Sequence, residues 1–405
     1  MGGWHSEREA FLRLWIESAH QSLVREGAAV CDDAISTFQT EKQFFAILVS
    51  GGCQVGGGAV SVAEKAASML KQGILLKQVV DALLSALPKD KHIPFSILEI
   101  LDGNRASVVE CDAPPLFMAR QGQLLSLPVL EEVSHGHLVR ECQFTVKDGD
   151  HIAMVSEGYI RARGRIRPWG WRDIADSIRR LTGTRCDAEQ LLGALVRSYE
   201  RLAQGERGAP GEERGAKSLT SQKGVSVVAM FVRPIRTATV WSGPPASQRK
   251  SEIQNPKSER EMLEKLMAEP GARILCGDTT AEIAARLLGA ELAMEPPPED
   301  GWAEVPPVSR LEGLSLVTEG VVTMGKARER MAGAQRIRDL RQEDGATRLA
   351  RLLLTADKIH FLVGLAINPA QVADKAGKVP LRRIVIEDLM TDLKARGKIV
   401  SVEYF

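Results

Sequence analysis

The chain has 405 residues, enough for two or three domains and a sizeable core. Hydrophobic residues make up 44% and charged residues 26%, which excludes a mostly disordered chain, a collagen and a coiled-coil rod. Lys and Arg total 53 against 52 Asp and Glu, so no global field draws nucleic acid or an anionic membrane, and aromatics at 5% argue against a stacking platform for single strands.

The cysteines are Cys31, Cys53, Cys111, Cys142, Cys186 and Cys276. Their spacing makes no CxxC pair, which excludes the common zinc and redox motifs and predicts a reducing, cytoplasmic setting. His135 and His137 flank one glycine and read as loop residues. No apolar run approaches the roughly 18 residues that would span a bilayer. The stretch MGGWHSEREAFLRLW is charged early and lacks the apolar core of a secretory signal.

In chain order, residues 7–26 read as an amphipathic segment and Phe44–Val49 as a buried strand. A glycine-rich turn from Gly51 to Gly58 leads into a helix whose face carries Ala59, Val62, Ala63, Ala66, Met69 and Leu70. A second helix covers about 76–87. Strand signals at 95–101 and 107–110 flank the turn Asp102-Gly103-Asn104, and 116–119 and 123–127 flank Gln121-Gly122. Strands follow at 144–146 and 152–155, helices at 172–181 and 187–203, and a strand at 225–232. The polar stretch 204–223 reads as a flexible loop. The composition of 242–259, rich in Pro, Ser and Lys, reads as a linker. Beyond it, strands near 274–275, 315–317, 359–363 and 399–404 alternate with helices, which predicts a small α/β domain. The expected division is therefore 1–241, a linker at 242–259, and 260–405.

Several ordered fragments resemble the metal-dependent PPM protein phosphatases, nearest to the branch of the stage II sporulation protein E. They are Arg25-Glu26-Gly27 to Cys31-Asp32-Asp33, Gly51 to Gly58, Cys111-Asp112-Ala113-Pro114-Pro115, Ser156-Glu157-Gly158-Tyr159, Gly170-Trp171, and Gln222 to Val228. Beyond them, Cys276-Gly277-Asp278-Thr279-Thr280-Ala281, Leu316-Val317-Thr318-Glu319-Gly320 and Asn368-Pro369 resemble a domain that accompanies one bacterial group of these proteins, so the likeness spans nearly the whole chain. The resemblance implies an α+β fold: a sandwich of two antiparallel sheets flanked by helices, followed by the smaller α/β domain. It also implies aspartates that hold a pair of Mg²⁺ or Mn²⁺ ions, whose bound water attacks phosphoserine or phosphothreonine.

The metal positions that the resemblance implies have mostly changed. The first aspartate is present as Asp33, the third has become Glu157, the second falls on Gly51, and the final pair falls on Lys223 and Gly224. Glycine offers no ligand and lysine brings a positive charge, so no binuclear centre is expected and no cofactor with it. Asp32, Asp148 and Asp150 are the neighbouring acids that a shifted alignment would recruit. The expected role is a pseudophosphatase that regulates or binds a protein partner or phosphoprotein. The alternatives are an active Ser/Thr phosphatase with an atypical Mn or Mg site, and a scaffold subunit of a multi-protein complex.

Two further features stand out. Arg161, Arg163, Arg165 and Arg167 alternate with smaller residues and would share one face of an extended segment, a candidate anion- or partner-docking patch. In the second domain Asp278, Thr279 and Thr280 lie between a strand and a helix. With Thr318 and Asn368 they form a candidate ligand site at strand ends.

Overall fold

The computed structural model describes residues 14–24, 31–40, 42–51, 58–87, 93–160, 170–183, 186–204, 224–246, 256–296, 305–334, 336–366 and 381–405. The chain forms two compact units, Met1–Pro234 and Ile235–Phe405.

The first unit opens with β1 (Leu14–Leu23), β2 (Ala34–Gln39) and β3 (Gln43–Val49), followed by α1 (Gly58–Lys71) and α2 (Leu76–Ala86). Next come β4 (Phe95–Leu101), β5 (Arg105–Cys111), β6 (Phe117–Arg120), β7 (Gln123–Leu124), β8 (Val129–Ser134), β9 (His137–Thr145) and β10 (His151–Val155). The unit closes with α3 (Glu157–Ile160), α4 (Trp171–Thr182), α5 (Ala188–Gln204) and β11 (Val225–Pro234). The strands make two antiparallel sheets, ordered β1-β11-β10-β6-β7 and β2-β3-β4-β5-β9-β8.

Period-two alternation explains the layering. On β3, Phe44, Ala46 and Leu48 pack with Ile152, Met154, Val228 and Met230 in the core between the sheets. Phe45, Ile47 and Val49 face the other way, onto Ala63, Ala66 and Leu70 of α1 and Val79 and Leu83 of α2. The outer face of the other sheet, with Ala153, Val155, Val227 and Ala229, is covered by Ile174 and Ile178 of α4 and Leu191 and Leu195 of α5. Strands buried on both faces read as unbroken apolar runs, which is why β3 and β11 were legible as strands. The amphipathic segment at 7–26 contains β1, which pairs along its whole length with β11. The expected sandwich flanked by helices is thus the fold of this unit.

The second unit begins with β12 (Thr237–Ser242), α6 (Pro256–Ala268), β13 (Ala272–Cys276) and α7 (Asp278–Leu288). It continues through β14 (Ala293–Met294), β15 (Ser309–Arg310), β16 (Leu316–Thr318), α8 (Val321–Gly333) and α9 (Gly345–Thr355). It ends with β17 (Lys358–Val363), α10 (Leu381–Ala395) and β18 (Ile399–Tyr404). The sheet order is β14-β15-β16-β13-β12-β17-β18, and β16, β13, β12, β17 and β18 are mutually parallel. Helices cover both faces: Leu349, Leu353 and Leu389 pack on the side of Val240 and Phe361, while Met262, Leu266 and Ile283 pack on the side of Trp241 and Leu362.

One correction concerns the domain boundary. Thr237–Ser242 pairs with β13 on one side and β17 on the other, so it is an interior strand of the second unit's sheet. Of the 242–259 stretch, Ser242 ends β12 and Pro256 opens α6, residues 247–255 lie outside the described residues, and the division falls at Pro234–Ile235. Loop composition marks the end of an element but not the sheet that the element joins. The residues 205–223 lie outside the described residues.

Candidate functional site

Asp33 precedes β2, and Ser50-Gly51 follows β3, its antiparallel neighbour, so hairpin geometry brings the two together. The Gly51 N–H donates to Asp33 Oδ1 at 2.9 Å. From the other sheet come Ser156, just after β10, and Ser226, on β11. Each binds the other's backbone or hydroxyl: Ser156 N–H to Ser226 O at 2.9 Å, and Ser226 N–H to Ser156 Oγ at 2.9 Å. The Ser226 hydroxyl also meets Ser22 Oγ at 2.7 Å and lies 3.9 Å from Cys31 Sγ. Glu157 opens α3, is buried, and its N–H donates to Ser50 Oγ at 3.4 Å. The structure thus brings Asp33, Gly51, Glu157 and Gly224 to one end of the sandwich.

This end is closed by backbone. A Cβ on Gly51 would fall 1.9 Å from the Asp32 carbonyl oxygen. A Cβ on Gly224 would fall 2.6 Å from Cys31 Sγ, with Asp33 Cγ at 3.6 Å. Where the resemblance asks for carboxylates, the peptide of Asp32 and the thiol of Cys31 take the room.

Asp33 is 7% exposed. Burial pushes its carboxyl above the ordinary carboxylate range, while the Gly51 N–H and the Ser156 and Ser226 hydroxyls oppose that rise. Those hydroxyls ease the charge without closing on Oδ2, which is buried and makes no hydrogen bond. Burial likewise pushes the Cys31 thiol up, so it is not an activated thiolate.

Asp150 is not available as a replacement ligand. Asp150 is fully buried and gripped by Arg120, Nε to Oδ1 at 2.7 Å and Nη2 to Oδ2 at 2.8 Å, with the Lys147 N–H at 2.6 Å. Its carboxylate ties β10 to β6. Among the described residues, Cys111, Asp112 and His137 are the only trio of ligand-type side chains whose atoms lie within 4.8 Å of one another. Asp112 is already committed there, with Oδ2 to His137 Nδ1 at 2.7 Å and Oδ1 to the Leu138 N–H at 3.0 Å. His137 is therefore not a loop residue: it starts β9, is buried, and fastens that strand to the end of β5.

Lys223 and the four arginines Arg161, Arg163, Arg165 and Arg167 lie outside the described residues, as does Asn368. In the second unit Asp278 and Thr279 are exposed at the start of α7, while Thr280 is buried and its Oγ1 accepts the Gly243 N–H at 3.0 Å. The Thr318 hydroxyl turns into the sheet, toward Leu275 O and Cys276 Sγ, both at 3.5 Å. Sequence reading passed over Ser22, Ser50 and Ser226; serine at a strand end carries no periodic signal.

No protein-family model matches the chain, and no curated protein matches it. Structural neighbours of the chain are PPM-type phosphatase domains. One is the PP2C phosphatase domain with a fragment of the regulatory domain of the cell fate determinant SpoIIE from Bacillus subtilis, 15% identical with a TM-score of 0.42 over 55% of this chain and 63% of that one. Another holds the RsbU and RsbW domains of a Mycobacterium tuberculosis protein, 16% identical with a TM-score of 0.42 over 67% of this chain and 72% of that one. A third is the catalytic domain of the serine threonine protein phosphatase PstP in complex with two manganese ions, 14% identical with a TM-score of 0.35 over 54% of this chain and 99% of that one. At these scores no residue role passes from them to this chain.

Proposed function

We propose that this chain is a metal-deficient pseudophosphatase, a regulatory or binding protein that docks a protein partner or phosphoprotein. The observation that supports this reading is the closed end of the sandwich: at Gly51 a side chain would collide with the Asp32 carbonyl at 1.9 Å. A pair of divalent cations needs several oxygen ligands and matching negative charge. Asp33 and Glu157 are the carboxylates kept at the positions that the resemblance implies. Asp33 is moreover held toward its neutral form by burial. This donor set does not fit a binuclear centre, so no hydrolytic step is assigned to it.

A single-ion phosphatase is the second reading. The feature that favours it is Asp33 Oδ2, buried and without a hydrogen bond. Hydrolysis of p-nitrophenyl phosphate and of a phosphopeptide with millimolar Mn²⁺ separates the two. The expected result is turnover equal to that of Asp33→Ala. Turnover above that control by about tenfold, worth about 1.4 kcal/mol of barrier, overturns the proposal.

A further inference from the structure

The parallel strands of the second unit give a different site. The chain runs from β12 outward to β13 and then β16, and returns to place β17 on the other flank of β12. The order reverses between β12 and β17. In open α/β sheets the crevice beyond the carboxyl ends of such strands is where ligands bind.

Arg382, in the first turn of α10, lies across this crevice. Its Nη1–H donates to Gly364 O, just after β17, at 3.0 Å. Its guanidinium rests on Gly243, just after β12: a Cβ there would fall 2.0 Å from Nη1 and 2.2 Å from Cζ. Gly243 has φ +84°, a conformation that also favours glycine. Among the described residues no carboxylate pairs with Arg382, whereas the adjacent Arg383 is paired with Glu387 at 2.7 Å. Burial depresses Arg382. A half-buried cation in the first turn of a helix opposes the macrodipole and leaves most of its donors unused. Among the described residues nothing repays that arrangement.

The neighbouring strand ends add acceptors. The Gly243 N–H is bound by Thr280, two residues after Asp278. Burial raises the carboxyl of Glu319, after β16, and the charge of Asp278, after β13, raises it further, while the Thr323 and Val322 N–H groups oppose the rise. Glu319 Oε2 is buried without a hydrogen bond.

From this juxtaposition we infer that the carboxyl edge of the second unit binds a phosphorylated, hydroxyl-bearing small molecule of the nucleotide or sugar-phosphate class, with the phosphate on Arg382 and hydroxyls on Asp278 and Glu319. A guanidinium fork matches phosphate oxygens in pairs, and carboxylates accept from a diol. The inference stands apart from the reading of the sandwich and survives its failure.

Calorimetric titration of the full chain with inorganic phosphate, ribose 5-phosphate and AMP tests it. Saturable binding of at least one sugar-bearing probe is expected. Arg382→Met should weaken it by at least about tenfold, in keeping with loss of a charge-assisted pair, and Arg382→Lys should weaken it severalfold, since the charge stays and the fork goes. Without ligand, Arg382→Met should melt no lower than the parent. Asp278→Asn should weaken ribose 5-phosphate or AMP and leave inorganic phosphate unchanged. AMP alone binding assigns a nucleotide; both binding assigns a sugar phosphate. Failure of all three probes to bind at millimolar concentration overturns the inference, as does binding that Arg382→Met and Arg382→Lys leave intact.

Discussion

The Asp33 end of the sandwich and the carboxyl edge of the parallel sheet both gather glycines, to opposite effect. At Gly51 and Gly224 the missing side chains let peptide and thiol close in, with would-be Cβ contacts of 1.9 and 2.6 Å. At Gly243 the missing side chain leaves room for the head of Arg382. The charges differ in the same sense. Asp33 is buried with one oxygen unbonded and is driven toward neutrality. Arg382 is a half-buried cation that no acid among the described residues neutralises. A pocket filled by its own backbone has little left to offer a ligand; a cation held open over a glycine has most of its hydrogen bonds still to make.

The largest expected effect isolates what pairing does for a buried aspartate. Asp150 has a bidentate arginine partner, and among the described residues Asp33 has none. Asp150→Ala leaves Arg120 without its carboxylate and should cost about 3–5 kcal/mol in urea unfolding. A loss below about 1 kcal/mol would show that the pair is relaxed by solvent and that the contrast with Asp33 is empty.

Restoring the acids comes next. The triple change Gly51→Asp, Lys223→Asp and Gly224→Asp should destabilise by about 3 kcal/mol, because a side chain at Gly51 meets the Asp32 carbonyl and one at Gly224 meets the Cys31 thiol. It should gain no Mn²⁺-dependent hydrolysis. A well-folded triple variant with Mn²⁺-dependent turnover would break the comparison outright.

The smallest effect concerns pH. The folded Asp33 carboxyl is raised above its unfolded value, mainly by burial. Its stabilising contribution is therefore complete below the ordinary carboxylate range and is lost as pH rises through the raised value. Asp33→Asn removes that loss. Its stability at neutral pH should equal or exceed the parent by up to about 1 kcal/mol, with a flatter profile on the acid side. If Asp33→Asn is instead less stable at pH 7 and more sensitive to acid than the parent, Asp33 works as a charged group and the single-ion reading gains.

Much of the molecule was readable along the chain, and the unread parts share a cause. The apolar face of α1 and the unbroken runs of β3 and β11 announced themselves because burial on a helix or strand face leaves a pattern in sequence. The order of short fragments carried the sandwich, and the losses at Gly51 and Lys223 were visible as letters. The sheet that Thr237–Ser242 joins was not, because its partners, Ala272–Cys276 and Lys358–Val363, lie far along the chain. Nor was the commitment of Asp150 to Arg120, or of His137 to Asp112, since neither pair is local.

Arg382 shows the limit most clearly. In LRRIVIEDL it is one of two adjacent arginines on a helix, and nothing in the letters ranks it above Arg383. Sequence by itself determined most of the helices and the more apolar strands, though not Ala34–Gln39, Val129–Ser134 or Thr237–Ser242, and which metal-ligand positions carry no acid. Only the tertiary structure decided that Gly51 is filled rather than empty, and that one arginine lies over a glycine at the reversal of strand order while its neighbour pairs with Glu387. The reason is physical: periodicity and side-chain identity are properties of neighbouring residues, whereas closeness and charge compensation depend on which distant segments the fold brings together.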